Sequence, residues 1–156
     1  MADPIFLPEI KKRKIGIEEL QKQLYWKRLQ GEKAEIFILE FEKLRLNSEK
    51  KPEWVSPYWV NAGYDIASYE DTASKEINRF IEVKSFSGTP TFYWSRNEMD
   101  VAKLKREKYF LYLVDMNKID EDGYNPIIIQ NPYDTVLKND RNWSKLVDKY
   151  FITFQK

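Results

Sequence analysis

Mixed α/β is the fold class this sequence predicts, and two changes of pattern predict it. Apolar residues recur at near-helical intervals early in the chain, then give way to short segments rich in β-branched and aromatic residues. A capped helical pattern later interrupts those segments, and the almost wholly apolar run "YFLYLVD", Tyr109 to Asp115, follows it. Helical and extended segments that alternate in this way pack as a sheet covered by helices.

The elements follow in order. Residues 1–16 hold two prolines and the basic run Lys11 to Lys14, and read as a basic N-terminal arm. Residues 17–156 read as one domain. In "IEELQKQLYWKRLQ", Ile17, Leu20, Leu24 and Leu29 mark a first helix, and Gly31 is expected to end it. A second helix is expected in "EKAEIFILEFEKLRL", with Ala34, Phe37, Ile38, Phe41 and Leu44 on its apolar face and Glu35 and Glu42 off it. "WVSPYWV" is extended but broken by Pro57, which suits a strand end or an edge. "GYDIASY" and "NRFIEVKSF" are strands joined by a polar connection, and "TFYW" adds a short one. Ser95 and Glu98 match the S-x-x-E capping box, so a helix is expected from there to about Lys108. Tyr109–Asp115 is a buried strand, "IIIQ" another, and "KYFITFQ" a last one with alternation.

Composition restricts the chemistry. With 156 residues and 42% hydrophobic content the chain can bury a core and is not a disordered type. Its 26 basic and 25 acidic residues leave a formal charge of +1, so no basic coat for nucleic acid exists and such a partner needs a local patch. No apolar run is long enough for a membrane span, so an intracellular, cytoplasmic location is expected and a membrane partner is not. Cysteine and histidine are both absent, which removes thiolate and imidazole metal sites, thiol nucleophiles and Ser-His-Asp triads. Five scattered glycines form no phosphate-cradling loop. Any chemistry falls to carboxylates, lysine, hydroxyls and a hard metal ion.

One constellation has those members. On the strand "RFIEVKSFS", Glu82 and Lys84 are two residues apart and face the same way. Asp65 on the preceding strand faces opposite to Tyr64 and Ile66. If the strands pair so that Asp65 meets Glu82, two carboxylates share a small space and persist best around a cation. Oxygen-only ligands suit Mg²⁺ or Mn²⁺. Taken alone, Glu82 and Lys84 would be a solvent-facing pair of little energetic weight.

Asp65, sixteen intervening residues, then Glu82-Val83-Lys84 resembles the D…E-x-K signature of the PD-(D/E)XK nuclease superfamily. The order helix, three-stranded meander, helix, strand is similar to that superfamily's restriction-endonuclease-like core. "GEKAEIFILEFEKLRL", "GYDIAS", "RFIEVKS", "FYWSRNEMDVA" and "YFLYLV" look like the NO VEIN C-terminal-like domain, related to Mrr-type restriction nucleases. Tyr64 stands where the motif's naming proline would be. The resemblance implies a Mg²⁺-dependent (or Mn²⁺-dependent) endonuclease acting on DNA, in a restriction or defence setting. Asp65 and Glu82 would ligate the metal with the main-chain carbonyl of Val83, and Glu35 resembles a further helix carboxylate. Lys84 would either stabilise charge on the phosphate or help deprotonate water. Ser85, Lys103 and Arg106 are the expected nucleic-acid contacts, although Lys103 and Arg106 also suit a solvated helix face. A homodimer and a helicase- or ATPase-type partner or parent chain are compatible with the resemblance. The alternative reading is a non-catalytic nucleic-acid-binding or protein-docking module.

Overall fold

The computed structural model describes residues 14–155, so the predicted basic arm falls almost wholly outside the described residues. The two expected N-terminal helices are one, α1, Ile17–Arg45. Gly31 does not end it. A lone glycine inside a helix costs only about 1 kcal/mol relative to alanine, and the good helix formers on either side, Leu29, Gln30, Glu32, Lys33 and Ala34, carry the pattern through. The helix stops instead where Asn47 and Ser48 take φ of 52° and 56°, their amides capping the carbonyls of Leu44 and Lys43. Its buried stripe is Ala34, Ile38 and Glu42, each four residues on, with Phe37 and Phe41 flanking it. Leu44, expected on that face, is exposed, and Glu42, expected off it, is fully buried.

Five strands follow: β1 (Glu53–Trp54), β2 (Ile66–Ser68), β3 (Arg79–Phe86), β4 (Tyr109–Asp115) and β5 (Ile127–Gln130). They lie in the sheet in chain order. β1, β2 and β3 form the antiparallel meander, β3 and β4 run parallel, and β5 returns antiparallel beside β4. A parallel pair needs a crossover, and α2 (Arg96–Lys105) supplies it, continued by a single 3₁₀ turn at Arg106–Lys108. Both reciprocal bonds of the Ser95–Glu98 capping box are present at its start.

Alternation sends each strand's residues to two cores. Ile66, Ile81, Val83, Phe110, Tyr112 and Val114 pack under α1, and Phe86, Leu111 and Leu113 form the smaller cluster on the opposite face with Phe92. Two expected strands are not strands. "TFYW" is irregular, and it spends Phe92 on the second cluster rather than on sheet pairing. "KYFITFQ" forms no ladder, and Tyr150, Phe151, Ile152 and Phe154 are exposed. Alternation favours a strand only where an edge and a core receive it. A single π-helical turn at Tyr133–Leu137, absent from the sequence reading, packs beside α2.

The burial of Glu42 has a full set of partners. Ser68 Oγ and Tyr112 OH donate to it at 2.7 Å, Arg45 pairs with it at 2.6 Å, and the Arg79 guanidinium lies within 4.0 Å. Burial pushes the carboxyl up, but the hydrogen bonds from Arg45, Ser68 and Tyr112 outweigh it and hold Glu42 below the usual carboxylate value of 4.5. A carboxyl depressed on folding stabilises the fold fully above its unfolded pKa and loses that contribution as pH falls through its folded value. Glu42→Gln leaves two arginines facing a neutral group and is expected to cost about 3 kcal/mol in urea unfolding at neutral pH. The difference between variant and parent should shrink as pH is lowered below about 4.5.

Candidate functional site

The sheet brings Asp65, Glu82 and Lys84 together at the edge where β2 begins. Register pairs Ile66 with Ile81, so Asp65 comes level with Glu82 on the neighbouring strand. Its backbone is fixed on both sides: the amide donates to Ile81 and the carbonyl accepts from Val55 and Ser56. Its carboxylate accepts from the Val83 amide at 2.8 Å, closing the space that the diverging start of β2 leaves in the ladder. Gly63 permits this approach. Its φ of 79° is a left-handed conformation, and a Cβ there would lie 2.5 Å from Val101 Cγ2 on α2. Tyr109 OH, buried below, donates to the Gly63 carbonyl at 2.7 Å.

Glu82 is 5% exposed, on the face of β3 that looks away from α1. Lys84, two residues on, places its ammonium 2.8 Å from Glu82 Oε1 and 2.8 Å from Glu98 Oε2. Glu98 comes from the first turn of α2 and serves its capping box at the same time, accepting from the Ser95 amide at 3.1 Å. Glu35 arrives from α1 on the other side. Trp54 Nε1 and Ser56 Oγ both donate to one of its oxygens.

Two carboxylates, Glu82 and Glu98, thus hold the one ammonium, and Asp65 and Glu35 add negative charge beside them. Burial, then the charge on Glu35, raises Asp65 to about 7 despite the Val83 amide and Lys84. Burial, then Asp65, pushes Glu82 well above the ordinary carboxylate value, with Lys84 opposing. Burial pulls Lys84 down, but Glu82 and Glu98 outweigh it and hold the ammonium above its usual value of 10.5. Lys84 is thus held in its charged form by Glu82 and Glu98. The cluster is short of positive charge, and every donor in it is a hard oxygen, which is the chemistry that suits Mg²⁺ or Mn²⁺. Among the described residues no group of three or more carboxylates forms a ready-made cage. Asp65 and Glu82, with the Val83 carbonyl, are the oxygen donors here that could hold such an ion.

The family described as Protein NO VEIN, C-terminal matches residues 34–126, more than half of the chain. The chain belongs to that family. No curated protein and no solved structure matches it.

In this NO VEIN C-terminal domain the match runs from α1 through β4 and takes in Asp65, Glu82, Val83, Lys84, Glu98 and Glu35. The remaining predicted contacts lie elsewhere. Ser85 points to the α1 face of β3, opposite Glu82 and Lys84. Lys103 is exposed on α2 with its ammonium 5.8 Å from the Tyr133 ring centroid. Arg106 pairs with Asp134 at 2.9 Å and lies over the same ring, about 12 Å along the helix from Glu98. Glu98 is the member that sequence reasoning assigned only to a cap. Its place inside the "FYWSRNEMDVA" block, directly before the crossover onto β4, was the available signal.

Gly63→Ala is expected to lower stability by about 2–4 kcal/mol, from left-handed backbone and overpacking against Val101. Thermal unfolding followed by circular dichroism measures it, and an unchanged midpoint would contradict the close approach.

Proposed function

We propose that this domain is a metal-dependent phosphodiesterase acting on nucleic acid, most simply a DNA endonuclease of the PD-(D/E)XK type. The observation that carries the proposal is the meeting of the half-buried Asp65 with the buried Glu82, both raised by desolvation and by neighbouring charge, beside an ammonium held positive. Buried charge left uncompensated is costly and is retained where it is used.

The residues divide the work. Asp65, Glu82 and the Val83 carbonyl would hold Mg²⁺ or Mn²⁺, and such an ion, when bound, polarises a phosphate and acidifies a water. Lys84 contributes fixed positive charge beside the reacting phosphate, and Glu98 positions it through the 2.8 Å ion pair. Glu35, held by Trp54 and Ser56, adds negative charge on the side of Asp65 away from Lys84 and is suited to orient a water there. A restriction or defence role, dimerisation and a helicase-type partner extend this reading and rest on the resemblance alone.

One observation favours a second reading. Lys84 bridges Glu82 and Glu98 in a closed pair of ion contacts that holds without a metal. The domain would then be a docking or binding module whose buried charges fix α2 against β3.

Purified protein incubated with single-stranded DNA and with supercoiled plasmid, in Mg²⁺, Mn²⁺ or EDTA, separates the two. Metal-dependent cleavage of at least one substrate is expected, with Asp65→Asn and Lys84→Ala each slowing it at least about 100-fold. Cleavage that survives both substitutions would remove these residues from the chemistry. No cleavage of either substrate, with no heat of Mn²⁺ binding in calorimetry, would leave the module reading in possession.

A further inference from the structure

Building on the phosphodiesterase reading of the carboxylate cluster, we infer that its substrate is an unpaired nucleic-acid strand, stacked on Tyr58 and Trp59 and held along the groove between α1 and β1. Three features of the connection between β1 and β2 carry this. Its tip, Tyr58-Trp59-Val60, is exposed, with relative accessibilities of 79%, 70% and 89%. Nothing in the core accounts for two adjacent aromatic rings at that position.

The tip is also held firmly relative to the site. At its start the amides of Val55 and Ser56 donate to the Asp65 carbonyl at 2.7 and 3.2 Å, and Tyr58 and Trp59 turn back to the Val55 carbonyl at 3.0 Å. At its end Asn97 of α2 donates to the Asn61 carbonyl at 2.9 Å, and Gly63 rests on Val101. The rings are therefore mounted on the backbone that positions Asp65.

A groove of about 420 Å³ opens beside them, lined by Leu39, Lys43, Lys51, Trp54, Tyr58 and Trp59, with Glu53 on its rim. Trp54 is also a wall of a second hollow of about 470 Å³ lined by Ser56, Glu35 and Arg28, the last within 4.0 Å of Glu32 on the same wall. Aromatic faces with cations at intervals are the pattern that receives single strands, because every unpaired base has a π face to stack. A duplex hides those faces inside its stack, so the two exposed rings would have nothing to stack on there. Lys51 supplies a cation on the groove wall, beside Lys43, whose ammonium pairs with Glu40 at 2.6 Å.

Fluorescence anisotropy in EDTA tests the inference apart from any cleavage. The probes are labelled oligothymidylate, oligouridylate and a duplex of equal length. Tighter binding of the single strands than of the duplex is expected. Tyr58→Ala with Trp59→Ala should weaken single-strand binding by roughly 5- to 150-fold per ring, and Tyr58→Phe with Trp59→Phe should restore much of it. Because both rings are exposed, urea midpoints should stay unchanged. The two single-stranded probes tell DNA from RNA. Duplex binding equal to single-strand binding, or affinity indifferent to loss of the rings, would overturn the inference even if plasmid nicking succeeds. Ring-dependent strand binding without any cleavage would support the strand site and count against hydrolysis instead.

Discussion

Seven residue pairs join β3 to β4 in the one parallel ladder among the described strands, and the rest of the fold is arranged around it. A parallel ladder cannot be closed by a hairpin, so the chain must leave β3, cross a face of the sheet and return. The crossing helix, α2, begins with a capping box, and that box delivers Glu98 to the face where Lys84 emerges. The same ladder is buried on both sides, which is why every residue of β4 is buried and why its sequence is almost continuously apolar. β3 has a different obligation. Its odd residues Ile81 and Val83 serve the core under α1, while Glu82 and Lys84 occupy the face covered by α2.

Three carboxylates packed against this sheet have opposite electrostatic fates, Glu42 on one side of the comparison and Asp65 with Glu82 on the other. Glu42 has a donor for each oxygen and two arginines nearby, so its charge is the preferred form despite full burial. Asp65 and Glu82 share one ammonium with Glu98, and Glu35 adds further negative charge, so their charged forms are disfavoured. Burial is the leading influence on all three, and the count of partners decides the outcome. The first arrangement ties α1 to β2 and β4 and asks for nothing further. The second holds an imbalance that a cation would relieve.

Much of this was legible in the sequence because local patterns and tertiary demands agree. The apolar run at β4, the Ser95–Glu98 box and the spacing of Asp65 from Glu82 each point one way, and the meander places them as expected. Gly31 was misread because helix continuity depends on what Ala34 and Ile38 bury later, which no local signal at Gly31 reports. Glu42 looks solvated on a helical wheel, since its partners Ser68, Arg79 and Tyr112 come from strands distant in sequence. The C-terminal alternation in "KYFITFQ" is a property of the segment, whereas a strand also needs a free edge and a core to join. The double duty of Glu98 shows the converse, a local signal that was sufficient for its cap and silent about its partner across the crossover.

The unbroken run of α1 has a mechanical consequence. At about 43 Å it is the longest rigid body among the described elements. Only its second half is clamped to the sheet, leaving Ile17, Leu20, Leu24 and Trp26 in solvent. The free half and the clamped half meet near Gly31, one turn before Glu35. The free half is thus a lever arm with its fulcrum beside a carboxylate of the cluster. Trp54 and Ser56, the two donors that hold Glu35 in place, stand where that arm meets the sheet.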